Sequence, residues 1–248
     1  MKVRASLIIA VVGFWPLFNL SNKVSAESHS TTSQFNYPIV VNTWPFVNAT
    51  AKAWETLIES DDPIETIVSG CSACEQLRCD GTVGYGGSPD EYGESTLDAV
   101  IMDAETHDAG AVASLKRVKN AIGVALAVMK YTKHTMLVGE AATQFAIDMG
   151  FKQEDLHAPE SMQAWLNWFN NSCQPNFRIN VSPDPAKHCG PYKPIDLAAR
   201  KTPLKRERRY NRHVSEKSHD TIGMIAINSH GKMAGGTSTN GASHKIPG

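Results

Sequence analysis

The chain has 248 residues, 42% of them apolar, and a formal net charge of −1. That length suits one large domain or two small ones, and the composition is that of a soluble globular protein with a sizeable core, neither collagen-like nor disordered. A balanced charge gives no electrostatic reason to bind nucleic acid or an anionic membrane, so neither is an expected partner.

Lys2 and Arg4 precede an apolar run over residues 5–18, interrupted by Pro16, and Val24-Ser25-Ala26 supplies the small residues that signal peptidase requires. Residues 1–26 read as a secretory signal peptide removed at about Ala26. The run is shorter than the roughly 20 residues a spanning helix needs. Secretion favours disulfides, and the five cysteines are Cys71, Cys74, Cys79, Cys173 and Cys189. An odd number leaves one free or paired between chains. Cys74 with Cys79, and Cys173 with Cys189, could each staple a local loop. Cys71-x2-Cys74 has zinc-like spacing, but no matching pair follows at the usual distance. Sequons at Asn48, Asn170 and Asn180 fit the secretory route, the last weakened by Pro183.

Residues 38–41 form an apolar strand ending in Asn42-Thr43-Trp44-Pro45-Phe46. Residues 49–60 follow as a helix with Ala53, Trp54, Leu57 and Ile58 on one face. Asp62-Pro63 starts a second helix, with Asp as N-cap and Pro in the first turn. There Ile64, Ile67, Val68 and Cys71 share the inward stripe, which makes Cys71 the unpaired cysteine. Residues 81–93 contain five glycines without a phosphate-loop or dinucleotide pattern and read as a loop or bulged strand. A strand is expected over 97–102. An amphipathic helix is expected over 114–131, with Val118, Ile122, Ala125 and Met129 inward and Lys116, Arg117 and Lys119 off the stripe. A short strand over 135–138 and helices over 140–149 and 161–169 complete this region.

From Pro183 the character changes. Prolines are followed by a polar, basic stretch containing Lys205-Arg206-Glu207-Arg208-Arg209, and about 195–220 reads as a flexible linker. A hairpin follows: strands over 221–228 and 232–239 joined by Ser229-His230-Gly231. The run Ile222-Gly223-Met224-Ile225-Ala226-Ile227 reads as a buried strand.

His219-Asp220-Thr221 stands where the linker meets that strand. If the bond after Asp220 is cut, the freed α-amine of Thr221 becomes a base for its own hydroxyl, the N-terminal form of an activated nucleophile. Attack of the Thr221 hydroxyl on the Asp220 carbonyl would give an ester by N-to-O acyl shift, aided by the Asp220 carboxylate or by backbone strain. The plain alternative is a Thr that begins a strand.

His219-Asp220-Thr221-Ile222-Gly223-Met224, followed by Gly236-Thr237-Ser238-Thr239-Asn240-Gly241, resembles glycosylasparaginase (aspartylglucosaminidase), a family of N-terminal-nucleophile hydrolases. Val41-Asn42-Thr43-Trp44-Pro45-Phe46, Cys79-Asp80-Gly81, Gly86-Gly87-Ser88-Pro89-Asp90-Glu91, residues 118–124 and residues 189–194 resemble it too, in the same order. The resemblance implies an α+β fold, the αββα four-layer sandwich, incomplete at the C-terminus here. It implies a lysosomal enzyme made as a precursor and cut between Asp220 and Thr221, with an α-subunit region over 27–220 and the start of a β-subunit region over 221–248. The family's assembly is a dimer of heterodimers. The implied substrate is glycosylated asparagine, hydrolysed at the N-acetylglucosamine–asparagine bond. The implied roles are Thr221 as nucleophile, Thr239 with its hydroxyl beside it and Trp44 lining the substrate pocket. The implied disulfides are Cys74–Cys79 and Cys173–Cys189; Asn48 and Asn170 are the candidate glycosylation sites. No metal or cofactor is implied. In the family the run continues past the equivalent of Gly248 into an Arg-Val-Gly-Asp substrate clamp and, later, a Thr-Gly oxyanion pair, which these 248 residues lack. The alternatives are a truncated, non-catalytic relative and an asparaginase or isoaspartyl peptidase.

Overall fold

The computed structural model describes residues 38–198 and 221–247. The expected signal peptide, most of the expected linker, His219 and Asp220 lie outside the described residues. The elements in order are β1 (Ile39–Asn42), α1 (Val47–Ser60), α2 (Pro63–Leu77), a short turn of 3-10 helix (Cys79–Gly81), β2 (Leu97–Asp103), β3 (Ala109–Leu115), α3 (Ala121–Tyr131), β4 (Met136–Val138), α4 (Gly139–Asp148), α5 (Pro159–Asn170), β5 (Val181–Ser182), β6 (Lys193–Pro194), β7 (Ile222–Ile227) and β8 (Met233–Thr239). The fold is mixed α/β.

Six strands form one sheet in the order β1-β7-β8-β2-β3-β4. All neighbours are antiparallel except β3 and β4. Alternation along each strand divides its side chains between two faces. Ile222, Met224 and Ala226 of β7, Ala234 and Ser238 of β8, Ala99 and Ile101 of β2 and Val112 of β3 are buried. They share a core with Ala49 and Ala53 of α1, Ile67 and Cys71 of α2 and Ile122 and Ala125 of α3. On the opposite face Val41, Val100, Met102 and Ile225 are exposed. The run at 222–227 is thus not buried throughout: it is apolar on both faces but covered on one.

Helix α2 starts where Asp62 caps it, its Oδ1 accepting from the N–H of Ile64 at 2.8 Å and of Glu65 at 3.3 Å. Glycines let the helices approach the sheet. A Cβ on Gly236 would lie 2.5 Å from Ile67 Cγ2, and one on Gly110 would lie 2.2 Å from the Ala125 carbonyl oxygen and 2.5 Å from the Met129 nitrogen.

Two expectations are corrected. Residues 114–131 are not one helix. Strand β3 occupies 109–115, and α3 begins only after Asn120, whose Oδ1 accepts from Gly123 N at 2.9 Å. Ser114 and Arg117 have positive φ, incompatible with an α-helix, and the chain turns between β3 and α3. Helix α3 itself is buried on most sides, with no polar stripe of the kind expected. The second correction concerns α1, whose inward face is Ala49, Ala53, Thr56 and Leu57, leaving Trp54 and Ile58 exposed. Small residues dictate the choice: a Cβ on Gly70 of α2 would lie 2.8 Å from the Ala53 Cβ, so the helices meet at a Gly–Ala contact that a Trp could not occupy.

Disulfides join Cys74 to Cys79, closing the end of α2 onto the turn that follows, and Cys173 to Cys189, bracing the arm that carries β5 and β6. Cys71 is free and buried. With Cys74 bridged, the Cys71-x2-Cys74 zinc reading loses a ligand. The arm is also fastened by an ion pair between Arg178 and Glu91. Among the described residues, no helix is long and apolar enough to cross a membrane.

The Gly110→Ala substitution should destabilise the fold by about 1–3 kcal/mol through overpacking against the α3 backbone. Gly235→Ala, where a Cβ meets nothing closer than 3.6 Å, should stay within about 0.5 kcal/mol. Urea midpoints of the two variants check this, and equal midpoints would contradict it.

Candidate active site

The turn of the β7–β8 hairpin sets the register. Asn228 is buried, and its Oδ1 accepts from the N–H of His230 at 3.0 Å and of Lys232 at 2.9 Å. The ladder then pairs Ile227 with Met233 at one end and Ile222 with Ser238 at the other. One step further, Thr221 and Thr239 face each other, and the Thr221 hydroxyl donates to Thr239 Oγ1 at 3.0 Å.

Strand β1 delivers the second part. Asn42 pairs with Met224, and the next residue continues the contact, Thr43 N donating to the Gly223 carbonyl at 2.9 Å. Thr43 Oγ1 accepts from Gly223 N at 2.9 Å and donates to the Thr221 carbonyl at 3.3 Å. Trp44, half-buried with φ 62°, donates from Nε1 to the same carbonyl at 3.1 Å. Two donors therefore fix the peptide plane on the C-terminal side of Thr221. Thr221 itself has φ 71°. That is the left-handed region, an outlier for a β-branched residue and worth about 1–3 kcal/mol of strain.

The end of β8 is held from the other side. Thr239 Oγ1 accepts from Gly241 N at 3.0 Å and donates to the Thr82 carbonyl at 3.4 Å. Asn240 is fully buried; its N–H donates to Thr82 O at 3.0 Å and its Nδ2 donates to the carbonyls of Gly81 and Gly84, both at 2.9 Å. Ser238 donates to Glu75 Oε1 at 2.6 Å. Lys245 Nζ donates to Ser88 O at 3.0 Å and Asn240 O at 2.9 Å; burial holds its pKa below the usual lysine range, opposed by nearby Asp98 and Asp90.

Thr221, Thr239 and Trp44 thus come together from residues far apart in the chain. Asp220 lies outside the described residues. Asn48 is exposed in the first turn of α1 and Asn170 is exposed at the end of α5, both remote in sequence from the Thr pair. Sequence reasoning missed Thr43, Thr82, Asn240 and Glu75. Two had a signal. The inward stripe of α2 extends from Cys71 to Glu75 at i+4, and Asn240-Gly241 closes a strand as a turn pair does.

A cavity of about 520 Å³ lies at the turn end of the hairpin, lined by residues including Asp61, Asp103, Glu105, His230 and Lys232. It contains none of the expected site residues. Ser229, His230 and Asp61 meet beside it, but His230 Nδ1 faces both Ser229 Oγ at 3.1 Å and Asp61 Oδ2 at 2.9 Å. A nucleophilic relay needs the serine on one ring nitrogen and the carboxylate on the other, so this cluster is a turn brace.

The sequence profile of the asparaginase family matches residues 25–248. An N(4)-(beta-N-acetylglucosaminyl)-L-asparaginase of Rattus norvegicus is 53% identical over 211 residues, covering 85% of this chain and 59% of the relative. Its Mus musculus counterpart is 53% identical over 212 residues, covering 85% and 60%. An Arabidopsis thaliana protein named "Probable isoaspartyl peptidase/L-asparaginase 3" is 48% identical over 221 residues, covering 86% and 61%. The chain thus spans about three fifths of the length of these relatives.

Replacing Asn240 with Ala would strand the part-buried carbonyl of Gly81 and the buried carbonyl of Gly84, and the expected cost is about 1–3 kcal/mol. A denaturation midpoint matching wild type would contradict the assignment of Asn240 as the tie between β8 and the glycine loop.

Proposed function

The chain belongs to the asparaginase family, and on that premise we propose that it is an N-terminal-nucleophile amidohydrolase acting on glycosylated asparagine, with Thr221 as nucleophile. The observation that carries the reading is the hydroxyl pair of Thr221 and Thr239 at 3.0 Å, with the Thr221 carbonyl clamped by Thr43 and Trp44.

Maturation comes first. The Thr221 hydroxyl attacks the Asp220 carbonyl carbon, the C–N bond breaks and an ester forms. Water then hydrolyses the ester, leaving a carboxylate on Asp220 and a free amine on Thr221. The positive φ of Thr221 supports this step. Strain there arises partly against the preceding carbonyl, and cleavage removes that carbonyl.

In the matured site the amine takes the hydroxyl proton of Thr221. A free α-amine has a pKa of about 7.7–8.0, near enough to neutrality to serve as base. The hydroxyl oxygen attacks the side-chain amide carbon of the substrate. Collapse of the tetrahedral adduct expels the glycosylamine, which takes a proton from the ammonium. Water hydrolyses the resulting ester and releases aspartate, and a second water displaces ammonia from the released glycosylamine. Thr239 orients the nucleophile by accepting from its hydroxyl at 3.0 Å, and Trp44 lines the pocket beside it.

The finer structural reading follows the same premise. The exposed apolar face of the sheet supports the four-layer αββα sandwich, in which a second sheet covers it. Two disulfides support a secretory route and a lysosomal destination, with Asn48 and Asn170 exposed for glycosylation. Two subunit regions from one precursor, paired as a dimer of heterodimers, complete the proposal. The 48% identity to the Arabidopsis protein supports a second reading, hydrolysis of free asparagine or isoaspartyl peptides, which differs in substrate and not in nucleophile.

Aspartate release from a glycosyl-asparagine substrate tests the function, with free asparagine and an isoaspartyl dipeptide assayed in parallel. Thr221→Ala should abolish release, and Thr239→Val should lower kcat by about 10² or more. Full activity in Thr221→Ala would overturn the proposal, and preference for asparagine or the isoaspartyl dipeptide would favour the second reading.

A further inference from the structure

We propose that Glu75 is a positioning residue for the Thr221–Thr239 pair, acting through Ser238. The inference rests on the reading of that pair as the reacting centre. Glu75 lies on the inner face of α2 with 2% of its surface exposed. Its Oε1 accepts from Ser238 Oγ at 2.6 Å and from Ile122 N at 2.9 Å, so one carboxyl oxygen ties α2 to β8 and to the first turn of α3. Ser238 directly precedes Thr239. The residue after Thr239 is tied to the segment that follows α2, through Thr82 and the carbonyls of Gly81 and Gly84. That segment is closed onto α2 by Cys74–Cys79. Thr239 is therefore held from both neighbours by one structural unit, the last turn of α2 and its disulfide loop. A slip of β8 along α2 would break the Ser238 bond and draw Thr239 out of reach of Thr221.

The chemistry of Glu75 gives this support a pH signature. Its other carboxyl oxygen is buried and has no hydrogen-bond partner among the described residues. The titratable group beside it is the Cys71 thiol on the same helix; β8 presents the Ser238 hydroxyl, and α3 presents the N–H groups of Ala121 and Ile122. Burial pushes the Glu75 pKa up to about 7, against the opposing pull of Ser238 and the two amides. A folded-state pKa above the ordinary value of 4.5 means that the folded state retains the proton more tightly than the unfolded one. The contribution to stability is therefore complete below the unfolded pKa and falls as pH rises through about 7. In acid the carboxyl is neutral, which removes the cost of burying a charge there. Above neutrality it becomes a buried anion; the Ser238 bond itself favours that form, but any local opening that returns the carboxylate to water becomes easier, so the end of β8 should open more often.

Hydrogen–deuterium exchange on the whole chain tests this at about pH 5 and pH 8, with rates corrected for intrinsic pH dependence. In wild type, protection of the amides of Asn240 and Gly241 should drop by about tenfold or more between the two conditions. Glu75→Gln, a neutral isostere that keeps the acceptor, should hold the acidic level at both. Ser238→Ala should show low protection at both, while amides of the β2–β3 ladder stay protected in all three proteins. The proposal fails if wild-type protection is the same at both pH values, if Glu75→Gln follows the wild-type drop, if Ser238→Ala leaves the two amides protected, or if either variant loses protection across the whole sheet. Exchange requires no turnover, so failure here leaves the hydrolase reading standing, and an inactive chain leaves this test intact.

Discussion

The antiparallel register of β7 and β8 is the constraint on which the site depends. Side chains alternate along a strand, so a slip of one residue would move every one of them to the other face. Thr221 would then lose Thr239, and Ile222, Met224 and Ala226 would leave the core. The same pairing that buries these side chains brings the two hydroxyls together. Its turn is fixed by Asn228 and its far end by Ser238, so the two hydroxyls meet because the hairpin is correctly folded.

Around that hairpin the molecule divides its polar and apolar work. The covered face of the sheet is sealed by small contacts, Gly236 beneath Ile67 and Gly110 beneath α3. Strand β1 lies at the edge of the sheet, and the residues that follow it, Thr43 and Trp44, donate to the Thr221 carbonyl, next to the strained conformation of Thr221. The end of β8 is anchored by buried polar groups, Ser238 on the Glu75 carboxyl and Asn240 on the carbonyls of Thr82, Gly81 and Gly84. Such networks are expensive when partly satisfied, and here Glu75 Oε2 and Asn240 Oδ1 are buried without a hydrogen-bond partner among the described residues. Ser238 and Asn240 flank Thr239, whose hydroxyl meets that of Thr221.

Much of the fold was legible in the sequence because local chemistry and tertiary packing agreed. Asp62-Pro63 starts α2 as its capping chemistry requires, Cys71 falls on the inward stripe, and Ser229-His230-Gly231 turns the hairpin. Strand β3 was not legible. Ala-Gly-Ala-Val-Ala-Ser-Leu has little intrinsic preference for a strand, and it becomes one because β2 and β4 pair with it on either side. Lys116, Arg117 and Lys119 imitate the polar face of a helix that begins only after Asn120. Trp54 and Ile58 are apolar at helical spacing, yet close contact with α2 selects Ala53 and Leu57 instead. For the site, the chemistry of Thr221 could be reasoned from its place between linker and strand. Thr239 and Trp44 came only from family resemblance, since nothing in their spacing reveals that a hairpin and an edge strand bring them to one carbonyl and one hydroxyl. Glu75 was hidden in plain view, a carboxylate one turn beyond the last apolar residue of a core stripe.

The central claim is that the backbone opens before Thr221 and makes that residue a nucleophile with its own base. Amino-terminal sequencing of the purified, denatured chain measures this directly. The account predicts a polypeptide whose sequence begins Thr-Ile-Gly-Met, absent when Thr221 is replaced by Ala. An uncut chain with a single amino terminus would contradict it.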